Sequence, residues 1–167
     1  MRLNGKCHIR LNLRLTIFAA LAALCSLPVS AADYNVSEDG TLAEAIAKAN
    51  ANADNETYEI SIAGKSADSG TIKTSTLLKG DATAELGGTL TYNGTGIGST
   101  LDSLSFSAGN SSAVINGTPG SGDGQDLTIS SVVFKQRNDY YGAGIFNSGN
   151  LNIQNGSRFE NNHSNTG

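Results

Sequence analysis

From Tyr58 onward the chain alternates short apolar-polar runs with clusters of Gly, Asn, Ser and Asp. The pattern predicts strands over 58–62, 71–78, 89–92, 101–106, 113–116, 127–134, 144–146 and 151–153. Asn93-Gly94, Asn116-Gly117, Pro119-Gly120 and Asn155-Gly156 stand between them as turn dipeptides. One segment has a different period. Leu42, Ala45, Ile46 and Ala49 fall at i, i+3, i+4 and i+7, which predicts a helix over 41–50. Thr41 with Glu44 forms a capping-box pattern, Glu44 and Lys48 make a favourable i,i+4 pair, and Asn50 suits the exit. A lone amphipathic helix ahead of an all-β array is expected to cover that array's first open edge.

The C-terminal third repeats itself. Leu127-Thr128-Ile129 returns as Leu151-Asn152-Ile153, an offset of 24, and Phe134 returns as Phe159, an offset of 25. Gly142 returns as Gly167, again 25, while Leu101 to Leu127 is 26; upstream of Leu101 no register is evident. Hairpin-built sandwiches give no reason for a fixed step, whereas parallel coils stacked about 4.8 Å apart do. The expected fold is therefore all-β, a right-handed parallel β-helix behind a short N-terminal capping α-helix. Leu127 over Leu151, Ile129 over Ile153 and Phe134 over Phe159 would be core columns, each aliphatic residue buried on both faces at roughly 1.5–3 kcal/mol. Asn occupies eight positions from 138 to 167 (138, 147, 150, 152, 155, 161, 162 and 165), which suggests left-handed corners and a ladder of amides along the stack.

The first 31 residues read differently. Arg2, Lys6, Arg10 and Arg14 precede an apolar run from Leu15 to Leu24, and Pro28-Val29-Ser30-Ala31-Ala32 offers small residues at a cleavage position, so cutting is expected after Ala31. A run of about ten apolar residues is short for a membrane anchor, which needs roughly twenty. The expected organisation is a signal peptide at 1–31, a cap at 32–57 and coils at 58–167, with the edge at Gly167 suggesting a piece of a longer product.

Composition then narrows the chemistry. Beyond residue 31 there are 7 basic and 15 acidic residues, no Cys, Trp or Met, and His163 as the only histidine. That excludes disulfide frameworks, Cys/His zinc sites and thiol catalysis, and it disfavours nucleic acid, which needs clustered cations. Asp123, Asp126 and Asp139, with Lys135 and Arg137 nearby, are the nearest approach to a carbohydrate-active or Ca²⁺-binding set. Their plainer reading is turn acids and solvated charges flanking strands. No catalytic residue, metal ligand or cofactor is assigned.

Gly142-Ala143-Gly144-Ile145, followed by Leu151-x-Ile153 and Phe159-Glu160-Asn161-Asn162, resembles the repeat of the chlamydial-type polymorphic outer membrane proteins. That repeat pairs a Gly-Gly-Ala-Ile tetrapeptide with Phe-x-x-Asn. Phe159 to Asn162 matches the second motif, whereas Gly142 to Ile145 has the middle Gly and Ala exchanged. The preceding coil departs, with Arg137 where Asn is expected after Phe134. The resemblance covers about a quarter of the chain. It implies a non-enzymatic autotransporter passenger at the outer membrane of a Gram-negative-type bacterium, held there only through a C-terminal barrel absent from this sequence. Such a passenger would be an adhesin for a host or neighbouring cell-surface molecule or extracellular matrix. The competing expectation is a polysaccharide lyase-like β-helix.

Overall fold

The computed structural model describes residues 34–52, 56–94, 98–118, 120–140 and 142–165. The expected signal peptide, Pro119 and Gly167 lie outside them.

The helix follows from its local signals. A short turn α1 (Val36–Asp39) leads to α2 (Leu42–Ala51), with Thr41 as N-cap and both halves of the capping box formed: the Glu44 N–H donates to Thr41 Oγ1 at 3.2 Å, and the Thr41 N–H donates to Glu44 Oε2 at 2.8 Å. Leu42, Ala45, Ile46 and Ala49 are all buried. The exit differs from expectation, since the helix runs to Ala51 with Asn52 as its cap.

All strand pairing is parallel among the described residues. One sheet contains β1 (Tyr34–Asn35), β2 (Tyr58–Ile62), β5 (Thr76–Gly80), β8 (Ser99–Asp102), β11 (Leu127–Ser130) and β15 (Leu151–Ile153), in that order. A second runs β3 (Lys65–Ser66), β6 (Glu85–Leu86), β9 (Ser105–Phe106), β12 (Val133–Lys135) and β16 (Arg158–Glu160). A third runs β4 (Gly70–Ile72), β7 (Leu90–Tyr92), β10 (Val114–Asn116) and β14 (Ile145–Asn147), and β13 (Asn138–Asp139) pairs with β17 (His163–Ser164). The chain visits the first, second and third sheets in that order and then returns to the first.

Corners divide three of the expected strands. Residues 71–78 hold the end of β4 and the start of β5, 101–106 bend at Ser103, and 127–134 bend at Ser131. Both serines are left-handed, with φ of 56° and 55°, so one residue turns the backbone from the first sheet to the second. Between β15 and β16 the corresponding step from the first sheet to the second is the two-residue turn Asn155-Gly156. That extra residue is why the offset of 24 at Leu127–Leu151 becomes 25 at Phe134–Phe159. The register also corrects the spacing upstream: Leu101 pairs with Ile129, and Leu127 sits over Ser99, a step of 28.

The core is built from columns. Tyr34, Ile60, Leu78, Leu101, Ile129 and Ile153 succeed one another in register across the first sheet. All but Ile153 are buried. The outer edge of β2 is covered by β1, while α2 packs on β4, where the Ile46 side chain occupies the space a Cβ on Gly70 would need. Asn50 completes that cover. Its Nδ2 donates to the Thr71 carbonyl and its Oδ1 accepts from the Lys73 N–H, both at 2.8 Å, so its amide acts as a one-residue strand on the edge of β4.

Candidate functional site

The motif-bearing segment packs onto itself. Ala113 and Val114, where β10 begins, donate backbone N–H bonds to the Gly144 carbonyl at 3.0 and 3.1 Å, and the Ser112 hydroxyl donates to the Gly142 carbonyl at 2.7 Å. Ala143 is buried, and Ile145 is half-buried in register with Val114. A Cβ on Gly144 would stand 2.9 Å from Phe159 Cδ1, so the phenyl ring fills the room that a missing side chain leaves. The first tetrapeptide thus seats the aromatic residue of the second.

Asn162 closes the other end of the motif. Its Nδ2 donates to the Phe134 carbonyl at 2.8 Å, and its Oδ1 accepts from the Arg137 N–H at 3.0 Å, which pins the corner beneath it. Asn161, with φ of 53°, makes the turn after β16, as Gln136 does after β12 with φ of 55°.

The expected columns come together with graded burial. Leu127 pairs with Leu151, Ile129 with Ile153, and Phe134 with Phe159. The rings of Phe106, Phe134 and Phe159 stack, with centroids 5.2 and 4.8 Å apart and planes within 10°. Leu127, Ile129 and Phe134 are buried and Leu151 is half-buried, but Ile153 is 47% exposed and Phe159 49% exposed. Burial on both faces therefore does not extend to β15 and β16, because no described strand pairs beyond them.

Asparagine does several jobs instead of forming one ladder. Among the described residues one amide-to-amide rung is present, Asn116 Nδ2 to Asn147 Oδ1 at 2.8 Å. Asn116 is fully buried and also exchanges two 2.8 Å bonds with the Gln125 backbone. Asn150 bonds the Asp126 carboxylate at 2.7 Å. The buried hydroxyl of Ser99 donates to Gln125 Oε1 at 2.7 Å, so Gln125 joins two buried polar side chains in the interior.

The acids expected near one another each have local donors. The Asp123 carboxylate is held by Thr118 and Ser121, and these bonds, the Ser121 hydroxyl foremost, keep it below the usual range. Asp139 accepts from the Ser112 N–H at 2.7 Å, from its hydroxyl at 2.5 Å, and from the Tyr140 N–H at 2.6 Å. Among the described residues, no three of His, Cys, Asp and Glu converge as metal ligands. His163 is exposed, with Nε2 3.1 Å from Asn165 Oδ1. Lys135 lies in register with Glu160, on an outer face where Lys65 pairs with Glu85 at 3.2 Å and Arg158 with Glu160 at 3.4 Å.

Arg137 is the residue that sequence reasoning misplaced. It is 1% exposed, so it is an interior cation and not a solvated charge. Its guanidinium donates to the carbonyls of Gly87, Gly88, Ser107, Ser111 and Ser112 at 2.8–3.2 Å. Burial pulls its pKa down, and the charge of Asp139 pushes back. The available signal was the break in Phe-x-x-Asn at Phe134, together with Gly109 three residues after Phe106.

No family model, curated protein or solved structure matches the chain.

Proposed function

We propose that the three sheets wrap one column as a right-handed parallel β-helix, and that the chain is an exported, non-enzymatic surface protein of the autotransporter-passenger kind. The fixed order in which the chain visits the sheets, all with parallel pairing, supports the winding. The observation that carries the reading is the seating of Phe159 on Gly144. It gives the Gly-rich and Phe-x-x-Asn tetrapeptides, whose family resemblance suggested a passenger, a joint role in closing one winding on the next. The function would be adhesion or interaction along an extended face, with a host or neighbouring cell-surface molecule or extracellular matrix as partner.

Expression of the whole gene in a Gram-negative host tests this. The expected results are a mature N-terminus at Ala32, digestion of the protein by protease added to intact cells, and binding of those cells to immobilised matrix proteins or cultured host cells. An uncleaved leader with cytoplasmic retention, or turnover of a polysaccharide by the purified protein, overturns it.

A further inference from the structure

In a stack of windings each turn ordinarily touches only its neighbours, so its segments open one after another from the ends. Arg137 breaks that rule. Leu86 of β6 pairs with Phe106 of β9, and Phe106 pairs with Phe134 of β12, so the Gly87-Gly88 segment lies two windings away from the one that carries Arg137. Nη1 nevertheless reaches the Gly87 carbonyl at 2.8 Å and the Ser107 carbonyl at 3.1 Å. Nη2 reaches the carbonyls of Gly88 and Ser112 at 3.2 Å, and Nε reaches that of Ser111 at 3.1 Å.

The path for this reach is built in. Gly109 bridges Arg137 directly, and a Cβ there would stand 2.6 Å from the guanidinium carbon, so the side chain passes through space that only glycine leaves open. Asp139, two residues on, supplies the counter-charge and is itself held by Ser112. A buried guanidinium stripped of water cannot lose these acceptors singly without leaving charged donors unsatisfied.

We propose that Arg137 is an internal tie that makes the windings containing β6, β9 and β12 open and close as one unit. This rests on the strand register and these contacts, and does not depend on any surface function.

Hydrogen exchange on the full chain across a denaturant series tests it at three amides that join the tied segments to one another: Ser107, which donates to Leu86; Val133, which donates to Leu104; and Asn138, which donates to Gly109. In the unaltered protein their opening isotherms are expected to merge. Arg137→Asn, which restores the Phe-x-x-Asn spacing but cannot span two windings, is expected to split them by at least about tenfold in exchange rate. Gly109→Ala, which displaces the guanidinium while leaving Arg137 in place, should split them likewise. Separate isotherms in the unaltered protein overturn the proposal. So do isotherms that stay merged in both variants. If neither variant folds, the unaltered protein decides alone.

Discussion

The ring of Phe134 lies between two others, and its centroid is 4.8 Å from that of Phe159 with the planes 10° apart. Phe134 is wholly buried, whereas Phe159 has one face in solvent. Truncation should therefore separate residues that the motif treats as equivalent. Phe134→Ala is expected to lower unfolding free energy by about 3–5 kcal/mol, and Phe159→Ala by about 1–2 kcal/mol. Urea titration followed by circular dichroism measures both, and equal losses would count against the stacking order.

Gly144→Ala should cost about 1 kcal/mol, because the new methyl pushes on a ring that has room to swing outward. In a Phe159→Ala background the cost should disappear. A double-mutant cycle yielding no coupling would mean that the two tetrapeptides do not support each other.

Asn50→Ala removes both bonds that finish the edge of β4, and about 1–2 kcal/mol should go with them. Asn50→Asp should do no better, since a carboxylate cannot donate to the Thr71 carbonyl. Thermal denaturation of the two variants in parallel gives the comparison.

Gln136 takes a left-handed turn that costs an ordinary side chain about 1–2 kcal/mol. Gln136→Gly is expected to stabilise the protein by roughly 0.5 kcal/mol once the entropy of glycine is set against that relief. A lower urea midpoint for the variant would refute this.

Glu44, Asp81, Glu85 and Asp123 all have folded pKa values lowered by bonds to the ionised form: the Thr41 backbone first for Glu44, the Thr83 hydroxyl for Asp81, Lys65 for Glu85 and the Ser121 hydroxyl for Asp123. A depressed carboxylate contributes stability above its ordinary pKa, 4.5 for Glu and 3.8 for Asp, and loses it as pH falls through the folded value. The urea midpoint should stay level near neutrality and drop below about pH 4.5. Glu44→Gln should make that drop shallower.

Legibility in the sequence followed how local each signal was. The helix was readable because its cap and apolar face lie within ten residues. Leu127 over Leu151 was readable because identical types recur at one step. Phe106 belongs to the same stack as Phe134 but sits 28 residues away, outside the step that pointed to the other two. The strands β3, β6, β13 and β17 have two residues each, too few for alternation to register. Corners at Ser103 and Ser131 gave no warning, since serine is not a residue that advertises a left-handed backbone. Arg137 was hidden for a different reason. Its partners are mostly main-chain carbonyls, which no side-chain pattern can announce.

One closed excursion has a practical consequence. Between β10 and β11 the described residues 117–118 and 120–126 lie outside the strands, yet the two ends of the segment nearly touch: a Cβ on Gly117 would lie 2.7 Å from Gly124 Cα, and Asn116 and Gln125 are joined by paired bonds. Cargo spliced in near Ser121, which is exposed, would hang from a neck that is already fastened, and the strands on either side would keep their partners. The molecule thus carries a natural mounting point for foreign peptides.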